Sequence, residues 1–179
     1  MKTKLNKKII KYVLISLSAC FSILCVFWTQ MPYNKAVLLW KKGNHEKAIS
    51  IWTDEIKKKN DINSYQKLIE AFINAGHFEK ADELTQRALS CYPNCIDFLF
   101  YSAMINFYKG NIEASLILTD KVIEKNQYFP EVYLLRGLIF EKQNNLKMAK
   151  QEIIKELNNN PGNRLAWAKL KESKYANTY

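Results

Sequence analysis

Apolar residues in this chain fall three and four positions apart, in blocks that return about every 34 residues. Val37, Leu38 and Trp40 are followed by Ile49, Trp52 and Ile56. Leu68, Ile69, Phe72 and Ile73 are followed by Leu84, Ala88 and Leu89. Leu99, Ala103 and Phe107 are followed by Leu118, Val122 and Ile123, and Tyr133, Leu134, Gly137 and Phe140 by Ile153, Ile154 and Leu157. Such spacing gathers the apolar side chains on one face of an α-helix. Each pair of blocks therefore predicts two amphipathic helices.

A six-residue phrase divides the two helices of each pair. It reads Gly43-Asn-His-Glu-Lys-Ala48, Gly76-His-Phe-Glu-Lys-Ala81, Gly110-Asn-Ile-Glu-Ala-Ser115 and Asn144-Asn-Leu-Lys-Met-Ala149, with closing positions 33, 34 and 34 residues apart. The opening Gly or Asn suits a left-handed residue where a helix ends. The small closing residue marks a place where two helix backbones come close. Pro93 and Pro161 stop a second helix and reset the chain for the next unit. A period of this size signals a repeat array, in which each unit buries its apolar face against its neighbours.

These residues resemble the tetratricopeptide repeat family, whose unit is about 34 residues of two antiparallel helices, here called A and B. Ala48, Ala81, Ser115 and Ala149 match its central small position, and Tyr65 and Tyr133 its aromatic-rich helix A. Trp52 fits the later aromatic slot, from which Thr85, Thr119 and Ile153 depart. Ala88 fits the next small slot, from which Glu55, Val122 and Glu156 depart. The resemblance covers about residues 31 to 161 and is loosest in the fourth unit. It implies an all-α fold, a right-handed α-solenoid, with repeats at about 29–61, 62–95, 96–129 and 130–161. Residues 162–179, beginning Arg164-Leu165-Ala166-Trp167, read as a C-terminal capping helix.

The N-terminus follows another pattern. Lys2, Lys4, Lys7, Lys8 and Lys11 precede an uncharged stretch from Tyr12 to Trp28. A basic segment before an apolar one is the order of a secretory or anchoring signal, and lysines before a span place it in the cytoplasm. The expectation is an N-terminal membrane segment over residues 1–28, single-pass, with the repeats on the extracytoplasmic side. Leu17-Ser18-Ala19-Cys20 also resembles the bacterial lipobox, which would make Cys20 a lipidation site and the chain an envelope lipoprotein. A cleaved signal is the third reading.

Composition changes the picture little. The formal net charge is +10, from 27 basic and 17 acidic residues. Five of those lysines and no acid lie in the first 28 residues, so the remainder is only mildly basic. Lys57, Lys58 and Lys59 form the one dense basic run, at a helix end where cations suit the helix dipole. No stripe of interleaved basic and aromatic residues accompanies it, so no nucleic acid partner is expected. No phosphate loop, nucleophile motif or metal-ligand spacing occurs, which predicts no enzyme, no cofactor and no metal. Cys91 and Cys95 flank a turn, where they either form a disulfide or serve as free thiols. His45 and His77 occupy equivalent turns without further ligands.

In the resembled family the A helices line a groove that takes protein or peptide partners. Its groove positions fall here on Asn63, Gln66, Lys67, Glu70 and Asn74, a polar strip. They then fall on Asp97, Phe100, Tyr101, Met104, Phe107 and Tyr108, and on Glu131, Leu134, Leu135, Leu138 and Lys142. The clamp that some members use for a C-terminal carboxylate is not matched, since Gln66, Glu70 and Tyr101 stand at its positions. The expected partner-binding residues are Phe100, Tyr101, Met104, Phe107, Tyr108, Leu134, Leu135 and Leu138. The function implied is a membrane-anchored scaffold or adaptor for another protein or peptide. The alternative is a lipoprotein or structural subunit of a bacterial envelope assembly or secretion complex.

Overall fold

From Pro32 onward the chain forms α1 (Pro32–Lys41), α2 (His45–Lys59), α3 (Ile62–Asn74), α4 (Phe78–Cys91), α5 (Ile96–Lys109), α6 (Ile112–Lys125), α7 (Val132–Lys142), α8 (Leu146–Asn159) and α9 (Arg164–Leu170). The computed structural model describes residues 31–172 together with 12–14, 17 and 175. Among these there is no strand. The chain divides into two compact units, Met1–Ser64 and Tyr65–Tyr179, with the boundary inside α3.

In the first unit α1 packs on α2. Ala36, Ala48, Trp52 and Ile56 are buried, and the Trp40 ring stacks on His45 at 4.1 Å and tilts against Trp52 at 5.6 Å. Asp61 caps the start of α3, accepting from the Ser64 backbone N–H at 2.8 Å and the Ser64 hydroxyl at 2.7 Å.

In the second unit the helices pack in chain order, α4 on α5, α5 on α6, α6 on α7, α7 on α8 and α8 on α9, and α5 also touches α7. Phe100, Ala103, Phe107, Val122, Val132, Leu135 and Ile139 form one core cluster. Leu134, Ala149, Ile153, Leu157, Ala166 and Tyr175 form a second, toward the C-terminal end. The last helix is short. After Leu170 the chain turns, and Tyr175 is buried in that second cluster.

The recurring phrase has one geometry in all four copies. Gly43, Gly76, Gly110 and Asn144 have φ of 80, 73, 85 and 58°. The N–H that follows each bonds back five residues: Asn44 to the Leu39 carbonyl, His77 to Phe72, Asn111 to Asn106 and Asn145 to Phe140, at 2.8–2.9 Å. The left-handed residue itself bonds back three, to Trp40, Ile73, Phe107 and Glu141, at 2.9–3.1 Å. This pair of bonds is a Schellman motif, which satisfies the last carbonyls of a helix. The closing Ala48, Ala81, Ser115 and Ala149 are all fully buried.

Burial is also uniform at positions where the side chains differ. Trp52, Thr85, Thr119 and Ile153 are buried at equivalent places, as are Glu55, Ala88, Val122 and Glu156. The departures from the family pattern are therefore changes of chemistry at core positions, and the fold accommodates them.

The expectation of a single-pass membrane protein is corrected here. No helix of the described residues is long and apolar enough to cross a membrane. Tyr12 to Trp28 counts 17 residues, fewer than the roughly 20 apolar residues of an ordinary spanning helix. Most of that stretch, including the lipobox-like Cys20, lies outside the described residues.

Candidate protein-binding face

On α5 the residues Asp97, Tyr101, Met104 and Tyr108 lie four, three and four positions apart, so they share one face. Glu131, which precedes α7, and Leu135, Leu138 and Lys142 repeat that spacing 34 residues later. Tyr101, Met104 and Leu138 are partly buried side chains resting on the same core cluster. The two stripes therefore lie side by side.

The structure sorts the eight expected binding residues into two sets. Phe100, Phe107, Leu134 and Leu135 are buried. Phe100 packs against Phe129 with ring centroids 5.1 Å apart, and Leu134 belongs to the C-terminal cluster. These four fill the interior, Leu135 among them although it shares a stripe with the half-open Leu138. Tyr101, Met104 and Leu138 are half-buried and Tyr108 is exposed. Tyr108 lies flat on Phe78 at 4.9 Å and meets Phe107 edge-on at 5.5 Å. The accessible apolar surface is thus narrower than the sequence set.

Polar contacts cross between the A helices. The Tyr101 hydroxyl donates to Glu70 Oε1 at 2.7 Å, and Lys67 Nζ reaches Glu70 Oε2 at 2.6 Å. Burial first, and the carboxylate beside it second, push the Tyr101 phenol above its ordinary range. Lys142 Nζ sits 4.5 Å from the centre of the Phe107 ring and 3.5 Å from the Phe107 carbonyl. Lys169 Nζ approaches both oxygens of Glu141, at 3.3 and 3.4 Å, and the Tyr175 hydroxyl donates to the same carboxylate at 2.7 Å. Burial is the leading cause of the raised Tyr175 phenol, with Glu141 next. Neither the Tyr101–Glu70 bond nor the docking of Tyr175 is foreshadowed by periodicity, because each joins residues of separate repeats through side chains.

The remaining expected sites resolve plainly. Of the two readings of Cys91 and Cys95, the structure has the free thiols. Cys91 ends α4 and is exposed, whereas Cys95 opens α5 with its Sγ 3.7 Å from Asp97 Oδ2. Burial pushes the Cys95 thiol above its ordinary value. His45 stacks on Trp40, and His77 lies edge-on to Phe72 at 6.5 Å. Among the described residues no group of His, Cys, Asp and Glu could hold a metal ion.

No family model matches the sequence, and no curated protein matches it. Solved structures do. TTC0263, a tetratricopeptide repeat protein of Thermus thermophilus, is similar at 19% identity, covering 79% of this chain and 80% of its own, with a TM-score of 0.67. YrrB, described as a tetratricopeptide repeat protein with an unusual peptide-binding site, is similar at 16% identity over 78% of this chain and 73% of its own, with a TM-score of 0.64. A MamA fragment from Desulfovibrio magneticus RS-1 is similar at 15% identity over 83% of this chain and 88% of its own, with a TM-score of 0.64. At these identities the likeness is one of fold: this chain has the all-α, helical-repeat fold of tetratricopeptide repeat proteins.

Proposed function

We propose that this chain, having the tetratricopeptide repeat fold, is a non-catalytic scaffold that binds a peptide or helix of another protein across α5 and α7. Met104 and Leu138 are the central contacts, Tyr101 and Tyr108 flank them, and Phe100, Phe107 and Leu135 form the floor that holds them in place. The observation that carries this reading is that Met104 and Leu138 stay half-open above a core already closed by the buried residues beneath them. Apolar side chains fixed from below and open above lose little freedom when a partner covers them. The peptide-binding site described for YrrB gives the same fold a precedent of this kind.

A photoreactive residue at Met104 or Leu138, introduced in the native cell, tests the proposal. A defined partner should crosslink at both positions and be absent from a control at Ile117, an exposed residue of α6. Crosslinking that does not distinguish the α5–α7 face from Ile117 overturns the proposal.

A further inference from the structure

The same face carries its unpaired charges on opposite margins. Asp97 and Glu131 lie where α5 and α7 begin, and Lys142 lies at the end of α7 beside Tyr108 and Phe107. Acids at a helix start and a cation at its end both suit the helix dipole. Here the placement has a second consequence. Neither Asp97 nor Glu131 has a cationic partner among the described residues, and Lys142 has no carboxylate. Nearby cations are paired, with Lys67 on Glu70, Lys109 on Asp82, Arg136 on Asp120 and Glu152, and Lys169 on Glu141. Between the margins lie Tyr101, whose hydroxyl is taken by Glu70, and the apolar Met104, Leu135 and Leu138.

We infer that the occupant of this face is an amphipathic helix with an apolar centre and split flanks, basic along one side and acidic along the other. The basic flank meets Asp97 and Glu131, and the acidic flank meets Lys142, drawing its ammonium from the Phe107 ring. The inference rests on the binding face proposed above. It also fixes direction, because turning such a helix end for end exchanges its flanks and sets like charges against each other.

Synthetic helices of equal length with one leucine stripe supply the probes. One carries Lys on one flank and Glu on the other, one Lys on both, one Glu on both and one Gln on both. Their binding to the full chain is read by fluorescence anisotropy at low salt and again at high salt. The split peptide should bind about threefold to tenfold more tightly than the Gln peptide, an advantage that shrinks with salt. In Lys142→Glu both margins become acidic, so the peptide with Lys on both flanks should overtake the split one. Lys142 is an exposed helix-end residue, and an unchanged circular dichroism spectrum confirms the fold of the variant. If all four peptides bind alike, or Lys142→Glu leaves their order unchanged, the charge inference is overturned while the binding face stands. If none binds, and photoreactive residues at Met104 and Leu138 capture no partner beyond the Ile117 control, the binding face and the inference fall together.

Discussion

Two parts of the second unit solve the same packing problem with different chemistry. Where α5, α6 and α7 meet, the core is apolar, built on Phe100, Phe107, Val122 and Ile139. Where α7, α8 and α9 meet, carboxylates enter the buried layer. Glu152 takes the place that Leu118 has in α6, and Glu156 that of Val122, and both are buried. Each is hydrogen-bonded. Glu152 accepts from Arg136 Nε at 3.1 Å and Lys155 Nζ at 2.7 Å. Arg136 also binds Asp120 and lies over the Phe140 ring. Glu156 Oε1 accepts from the Glu131 backbone N–H at 3.1 Å and from the Asn163 side chain at 2.9 Å. Asn163 in turn caps α9 through the N–H groups of Leu165 and Ala166. The neighbours decide which chemistry burial tolerates at a given place in the repeat.

Removing a partner from the charged region is the strongest way to break this comparison. Arg136→Met leaves Glu152 buried with Lys155 alone, and should cost about 3 kcal/mol in urea unfolding followed by circular dichroism. Arg136→Met with Glu152→Leu installs the residue that α6 carries at that place, and should recover most of the loss. A double variant no more stable than the single one would show that the two regions cannot exchange chemistry, and the equivalence would be refuted.

A smaller effect separates the two regions where helix A meets helix B. Ala103 in α5 and Gly137 in α7 hold equivalent, buried positions. The facing residues differ in the opposite sense, Thr119 in α6 and Ile153 in α8. A Cβ at Gly137 would lie 2.8 Å from Ile153 Cγ1 and 3.2 Å from the Ala149 carbonyl oxygen. Gly137→Ala should therefore destabilise by about 1.5 kcal/mol, the helix propensity of Ala offsetting part of the overpacking. Adding Ile153→Val opens space beside the new methyl and should restore part of it. An increase in thermal midpoint for Gly137→Ala alone would contradict the close approach.

Sequence pattern exposes the repeats because they rest on local signals. Helical spacing, the left-handed residue and the small closing residue each act within one unit, and every copy states them again. The binding face is less legible. Phe100 and Leu135 look like anchors when read on a helical wheel, yet they are buried, because depth depends on helices elsewhere in the chain. Glu55, Glu152 and Glu156 give the converse case, since charged side chains suggest solvent until their partners are placed. The N-terminal stretch misleads for a related reason. A lysine-led apolar run announces a membrane span by composition, while spanning also demands about 20 apolar residues, and this run counts 17.

The fourth copy of the turn offers the finest test. Asn144 holds φ of 58° where the other three copies use Gly, and its two Schellman bonds, at 2.8 and 3.0 Å, match theirs in length. The hydrogen bonding is therefore equivalent, and any difference in stability lies in the backbone strain of a residue with a side chain. Asn bears that strain better than other L-residues, since its short polar side chain tolerates the left-handed region. Asn144→Gly should accordingly stabilise the chain by only about 0.5 kcal/mol. Gly110→Ala should cost about 1 kcal/mol, although a Cβ there meets nothing within 4 Å. The open space is what makes the pair informative, because steric contact cannot explain the loss. Chemical denaturation of the two variants beside the parent settles it. If Gly110→Ala proves neutral, the left-handed turn is not what the repeated glycine provides, and the account of the phrase as a helix-ending device fails at its best-formed copy.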